Sequence, residues 1–438
     1  YLLEHRKVKP SQITAVTFTN QAAAEMKERL QRQLGKRRQL RTMQIGTFHA
    51  ICLSFLQGQG LSFTLIDEMR AKEFALEAAA QFGVECRPGQ FLEKVSLWKS
   101  RVLCKVEKQW QDAFAYYQES LRDRGLLDFD DLMLDTLGLI ETGDAQKGWE
   151  KHFSYLLVDE FQDINPLQYS LMRAWNLQGR ELFVIGDPDQ SIYGFRGADA
   201  RCFARMKQEY EDMETISLVD NYRSSPQILA AATEVISRNP GDERILKPNR
   251  RDNVPVRLVK AGSEMGEAIF VSKEINRLTG GIGMLEAHEM SGRVDADRIR
   301  GFEDIAVLYR THKEAKMLEK CLKKEGIPYV VAGREDFLRE DKVRGCICFF
   351  KSLLDEQDSL AREQCQKLLW DLQSNAISDS VFENLAEKYR PLCARKKPEK
   401  ILKTWMEEMH LEENESMRKL LGMTLFHKNM AEFLQALS

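Results

Sequence analysis

From Ile13 to about Ser225 the chain alternates short apolar runs with longer stretches whose apolar positions recur at helical spacing. That alternation predicts a parallel α/β sheet, since parallel strands need helical crossovers and are buried on both faces. The runs that read as strands are Ile13–Thr17, Tyr155–Val158 and Leu182–Ile185. Polar residues follow each at once, as where a strand delivers a loop to the C-terminal edge of the sheet, the edge at which ligands gather. Between Leu65 and about Gly148 the pattern turns helical, with periodic positions such as Phe74, Leu76 and Phe82, and predicts a helical insertion. A patch rich in Pro, Gly, Asn and Asp at 239–255 separates this region from new strand-like runs at Val256–Val259, Asp304–Tyr309 and Pro328–Ala332. A second α/β unit is therefore expected to begin near that patch, with helices again from about Leu353.

Composition narrows the class. With 438 residues, 43% hydrophobic and 30% charged, the chain can bury more than one core. It has no apolar stretch near the roughly 18 residues of a membrane span, and the opening YLLEHRKVKP lacks the apolar region of a secretory signal, so a cytoplasmic setting is expected. Nine scattered cysteines with no CxxC pair read as reduced thiols. Cys346 and Cys348 are close in sequence but do not share a helix face. Residues 1–50 carry ten Lys/Arg against three Asp/Glu, which fits either a phosphate-binding face or a solvated helix face around Lys36, Arg37 and Arg38.

Three segments carry candidate chemistry. YLLVDEFQD (155–163) ends an apolar strand in adjacent acids. Asp159 at the strand tip can hold Mg²⁺ beside a nucleotide's phosphates, and Glu160 can orient and deprotonate the attacking water. The alternative is that both acids cap the next helix; Gln162 and Asp163 beside them shift the weight toward catalysis. FVIGDPDQSIYGFRGAD (183–199) can place Gln190 near a γ-phosphate and display Tyr193, Phe195 and Arg196. Two aromatics and an arginine suit stacking on unpaired bases, unless they anchor the loop to the core. In LVDNYRSS (218–225), Tyr222 can cover an adenine and Arg223 can reach a γ-phosphate.

Taken in order, TAVTFTNQAAAEMKERL (14–30), QIGTFHAICLSFL (44–56), GLLDFDDL (125–132), LLVDEFQD, VIGDPDQSIYGFRGAD and NYRSS resemble motifs Ia, Ib, Id, II, III and IV of the superfamily 1 helicases of the UvrD/PcrA/Rep type. DIAVLYRTH (304–312) and AGREDFLREDKVRG (332–345) resemble later motifs of that family's second motor domain. The resemblance implies RecA-like parallel-sheet motor domains with helical insertions. On that reading, 1–64 with 149–240 form motor domain 1A and 65–148 a 1B-like insertion, while 241–352 begin domain 2A and 353–438 a 2B-like insertion. It also implies an ATP- and Mg²⁺-dependent motor that moves 3′ to 5′ on single-stranded DNA or on a duplex with a 3′ single-stranded tail, in repair, replication restart or recombination. Phe18, Asn20 and His49 would then line the DNA path with Tyr193, Phe195, Arg196 and Arg310. Phe195 stands where the family commonly has tryptophan, and His312 where it often has asparagine.

Three of the family's motifs are not found in these residues. No GxxxxGK followed by Ser or Thr occurs, and the sole Gly-Lys pair, Gly35-Lys36, precedes Arg37. Motifs V and VI are likewise not found, so the expectation is a truncated motor core, inactive by itself. Two other readings stay open: a non-catalytic DNA-binding or scaffold protein with a degenerate ATP site, and the helicase subunit of a helicase-nuclease.

Overall fold

The computed structural model describes residues 1–35, 40, 42–177, 179–199, 201–239, 245–252, 254–280, 300–331, 336–354, 359–370, 375–424, 427 and 429–437. Lys36, Arg37 and Arg38 lie outside the described residues, as does the start of the AGREDFLREDKVRG segment. The chain forms two compact units, Tyr1–Val256 and Arg257–Ser438.

The first unit is built on a four-stranded parallel sheet in the order β2-β1-β5-β6. Its strands are β1 (Ile13–Val16), β2 (Gln44–Gly46), β5 (Tyr155–Val158) and β6 (Glu181–Val184). β1 is buried along its whole length, as a central parallel strand must be, and pairs Ile13 with Tyr155 and Thr14 with Gln44. Even its one polar side chain is satisfied, because the Thr14 hydroxyl donates to the His152 carbonyl at 2.8 Å. Each crossover is helical: α1 (Asn20–Leu34) follows β1, α2 (Phe48–Gly58) follows β2, and α7 (Pro166–Trp175) follows β5. Thr19 and Thr47 start the first two, accepting from the Ala22 and Ala50 amides at 3.1 and 3.2 Å. The core between sheet and helices is aromatic, with Phe153 stacked on Trp175 at 4.9 Å and Phe48 on the same ring at 5.6 Å.

Between β2 and β5 runs a helical block of α3 (Glu68–Gln81), α4 (Pro88–Lys99), α5 (Lys108–Arg122) and α6 (Phe129–Thr142). Its only strands are the two-residue pair β3 (Thr64–Leu65) and β4 (Leu126–Leu127) among the described residues. Phe91, Phe114, Tyr117 and Leu121 fill its interior. The unit closes with α8 (Cys202–Glu209), a second two-residue pair of β7 (Asp220–Asn221) with β8 (Lys247–Pro248), and α9 (Pro226–Ile236).

The parallel sheet and its helical block match the α/β expectation, and the fold class is that of a RecA-like motor domain with a helical insertion. The second unit differs from its sequence pattern. None of the runs 256–259, 304–309 and 328–331 forms a strand among the described residues, and Leu258, Leu308 and Val330 are almost fully exposed. The reason is a missing partner: an extended segment becomes a strand only when a neighbour takes its backbone bonds. Ile305 and Val307 do alternate inward, packing on Ile275 and Leu322 of α10 (Glu264–Leu278) and α11 (His312–Lys324). Beyond them the unit is helical from Asp341–Leu354 to Met430–Ala436, around a core of Phe349, Phe350, Tyr389 and Trp405. Cys346 and Cys348 sit on the first of these helices, no disulfide joins any of the described cysteines, and no metal-binding group of three or more His, Cys, Asp or Glu occurs among the described residues. No described helix is long and apolar enough to cross a membrane.

Candidate functional site

The C-terminal edge of the sheet gathers the loops after β1, β5 and β6. Asp159 directly follows β5, with its amide donating to the Val16 carbonyl at 2.9 Å. Burial pushes its carboxyl above the usual value, against the opposing effect of a backbone hydrogen bond from Glu160. The buried Thr17 hydroxyl lies beside this carboxyl without a partner at hydrogen-bond distance. Hard oxygen donors at a strand tip fit Mg²⁺, which binds through one or two carboxylates and keeps its remaining positions for water and phosphate oxygens.

Glu160 is exposed and sits in the left-handed region at φ 51°, ψ 43°. A residue with a side chain rarely adopts this conformation without something nearby holding it, at a cost of about 1 kcal/mol or more. Neither acid caps the following helix: α7 is capped by Asn165, whose side chain accepts from the Gln168 amide at 2.9 Å, and Glu160 makes no side-chain cap bond. The helix-capping alternative is thereby set aside. Instead the Glu160 carboxylate accepts from Gln162 Nε2 at 2.7 Å. Gln162 in turn accepts from the Asp187 amide at 3.0 Å, and so joins the loop after β5 to the loop after β6. In that second loop Asp187 holds Gln190, whose Nε2 donates to Asp187 Oδ2 at 2.8 Å. Sequence reasoning named Gln162 only as a neighbour of the acids. Its signal was the pairing of a polar residue two after the acid with a glycine-rich exit from the adjoining strand.

The same loop carries the aromatic row. Tyr193 stacks on Phe18 with ring centroids 5.2 Å apart, Phe195 follows at 6.0 Å, and the Arg196 guanidinium stands 5.5 and 5.6 Å from the two rings. Phe195 is 72% exposed, so the ring anchors nothing in the core. Asn20 opens α1 and is exposed. His49 lies in the first turn of α2, edge-on to Phe129 at 5.8 Å, and burial lowers its pKa.

Tyr222 and Arg223 lie on the loop before α9, both exposed. The Asn221 side chain shapes this turn by accepting from the Arg223 and Ser224 amides at 3.0 and 2.8 Å. No hydrogen bond or ring contact joins them to the carboxylates among the described residues. Arg310, in the second unit, is exposed ahead of α11, and its amide donates to Glu314 at 2.9 Å.

Comparison with known proteins places the family. The model of the UvrD/REP helicase N-terminal domain matches residues 1–211, and that of the UvrD-like helicase C-terminal domain matches residues 216–417. The chain belongs to the UvrD/Rep helicase family. Relatives of this UvrD-like chain include the ATP-dependent DNA helicase PcrA of Staphylococcus aureus, 30% identical over 389 residues, covering 83% of this chain and 50% of the relative. PcrA of Staphylococcus epidermidis is 30% identical over 421 residues, covering 88% of this chain and 55% of the relative. The chain thus spans about half the length of the curated relatives it matches. The loops that meet around Gln162 are the two segments that resemble motifs II and III, and the Phe18–Tyr193 stack joins the segment that resembles motif Ia to the one that resembles motif III.

Proposed function

We propose that this chain is the motor core of an ATP-dependent DNA helicase that translocates 3′ to 5′ along single-stranded DNA, acting in the cytoplasm on DNA undergoing repair, replication or recombination. The observation that carries this reading is the continuous contact from Glu160 through Gln162 to the loop bearing Tyr193, Phe195 and Arg196. A carboxylate able to activate water is thereby mechanically connected to a surface able to stack on bases.

In the proposed chemistry Glu160 accepts the proton of the attacking water, and Asp159 holds Mg²⁺. Bound Mg²⁺ neutralises charge on the phosphate oxygens. Gln190 and Arg223 contact the γ-phosphate, and Tyr222 covers the adenine. Phe18, Asn20, His49, Tyr193, Phe195 and Arg196 line the strand's path on the first unit, and Arg310 is a DNA contact of the second unit. The phosphate cradle itself is not among these residues, because no GxxxxGK motif occurs in the sequence. The 438 residues alone are accordingly expected to show no ATP turnover near the ordinary enzyme rate of about 1 s⁻¹. Steady-state phosphate release checks this with and without oligo(dT).

The reading as a whole is tested in the full-length protein. Turnover should rise on adding single-stranded DNA, and unwinding should require a 3′ rather than a 5′ tail. A protein that binds DNA with no turnover under any condition would instead support the scaffold reading, and one that degrades DNA would support the helicase-nuclease reading.

The aromatic row gives a further expectation. Phe195→Ala should weaken oligo(dT) binding by about 1–3 kcal/mol with little dependence on base sequence, because stacking is blind to base identity. Arg196→Ala should also reduce the slope of log affinity against log salt by about 1. Fluorescence anisotropy across a salt series measures both, and unchanged affinity in both variants would remove this row from the DNA path.

A further inference from the structure

The turn that carries Tyr222 and Arg223 runs from β7 into α9, and it is held from outside as well as from within. Within the turn, Asn221 Oδ1 accepts from the Arg223 amide at 3.0 Å and from the Ser224 amide at 2.8 Å, the way asparagine commonly closes a turn. Asn221 is itself anchored by β8, since its carbonyl accepts from the Asn249 amide at 2.8 Å. The contact from outside is Arg250. Its Nη1 donates to the Arg223 carbonyl at 3.1 Å, and its Nη2 pairs with the Asp252 carboxylate. The peptide plane between Arg223 and Ser224 is thus bonded at both edges, its N–H on Asn221 and its C=O on Arg250. The plane before it is bonded through the Arg223 N–H. Peptide planes are rigid, so two held planes fix the φ and ψ of the residue between them, and with these the direction of its Cα–Cβ bond.

We infer that Arg250 is a positioning residue for Arg223: by holding the Arg223 carbonyl it aims the Arg223 guanidinium at the γ-phosphate during hydrolysis, without touching the nucleotide itself. The inference rests on the reading of Arg223 as a phosphate contact. Arg223 is exposed on a short turn, so the reach of its long side chain depends on where its backbone points. On a loose turn both backbone and side chain must be ordered before the guanidinium meets the phosphate; on a held peptide only the side chain remains to be ordered. Arginine suits the holding task because its forked donors let one nitrogen serve the carbonyl while another keeps the carboxylate. Asp252 in turn restrains Arg250, which is half exposed and would otherwise be free to swing into solvent. A direct role for Arg250 on the phosphate would require it to leave both partners. The pairing spans 27 positions along the chain, so no local pattern announces it.

The test uses the full-length protein and reads ATP turnover at saturating oligo(dT) in Arg250→Met, Arg223→Ala and the double variant. Arg250→Met is expected to lower kcat by about 10-fold, a part of the 10³–10⁵ that a well-placed arginine finger contributes. KM for ATP and Kd for oligo(dT) should stay within about three-fold. Because Arg250 is a half-exposed surface side chain, Tm should move by no more than about 2 °C. On the Arg223→Ala background Arg250→Met should lower kcat no further, since no guanidinium is left to aim. A loss that repeats in full on that background means direct contact or a purely structural role, and overturns the inference. So does Arg250→Met with the wild-type kcat. If Arg250→Met proves unstable, Asp252→Asn, which keeps Arg250 but frees its second nitrogen, decides by the same comparison of single and double variants. Arg223→Ala with the wild-type kcat overturns the reading of Arg223 and this inference with it, whereas an impaired Arg223→Ala beside an unimpaired Arg250→Met overturns the inference alone.

Discussion

Glu160→Gln in the full-length protein is expected to lower ATP turnover by about 10²–10⁴-fold, the usual range for loss of a general base, while nucleotide and DNA affinities change only a few-fold. The replacement keeps the shape of the side chain and an oxygen that can still accept from Gln162 Nε2, which now stands 2.7 Å from the carboxylate. The left-handed backbone at 160 should therefore persist, leaving the missing proton acceptor as the change that matters. Asp159→Asn should behave differently, because weakening a metal contact affects nucleotide binding and turnover together. Isothermal titration with a non-hydrolysable nucleotide, alongside phosphate release, separates the two. If the two acids were helix caps, each substitution would instead cost about 1 kcal/mol of stability and leave catalysis intact. The structure already removes the physical basis for that by giving the cap of α7 to Asn165. Glu160→Gln turning over ATP at close to the wild-type rate would mean that another group takes the proton.

The sheet was legible because parallel strands are apolar on both faces. Ile13–Val16, Tyr155–Val158 and Glu181–Val184 fall within one residue of their sequence pattern. β2 was not, since Gln44, Ile45 and Gly46 offer one apolar side chain and are strand only through pairing with β1. The reverse failure came at 256–259, 304–309 and 328–331, where the right residues stand in the right alternation without a ladder. At the site, the acids and the aromatics were visible from residue type next to a strand end. Gln162 and Lys99 were not visible in their roles, because each acts through partners brought near by tertiary packing: Asp187 lies 25 positions from Gln162, and Asp128 and Asp131 lie 29 and 32 from Lys99. Local periodicity carries no information about such pairs. GLLDFDDL drew attention as a motif, yet its acids at 128 and 131 prove to be the two halves of a capping box for α6.

Lys99→Met is expected to destabilise the first unit by about 3–5 kcal/mol at neutral pH, the range for breaking a buried ion pair by removing one partner. Lys99 ends α4 and is 3% exposed; its Nζ donates to Asp128 Oδ2 at 2.6 Å and Asp131 Oδ1 at 2.9 Å, and it stands 5.5 Å from the Tyr117 ring. The arrangement also suits the helix dipoles, with an ammonium at the C-terminus of α4 and carboxylates in the first turn of α6. Methionine fills the space of the lysine stem but leaves two acids without their buried cation. Gln118 still donates to Asp131 at 2.9 Å, and Arg122, 3.9 Å away and half exposed, is too solvated to replace Lys99. The pH dependence follows from Asp128, whose carboxyl burial pushes up to about 6 even with Lys99 opposing. A carboxyl raised in the folded state binds its proton more tightly there than in the unfolded chain. It favours folding below the unfolded value of about 3.9, and that contribution is lost as pH rises through the folded value. Without Lys99 the folded value moves higher still, so the loss in Lys99→Met should be smaller at pH 5 than at pH 7.5. Urea denaturation at the two pH values measures this. Adding Asp128→Asn and Asp131→Asn to Lys99→Met should recover part of the stability by removing the stranded charges. A loss below about 1 kcal/mol at pH 7.5, or one that does not change with pH, would mean that water reaches these carboxylates and that apolar packing, rather than the lysine, joins α4 to α6.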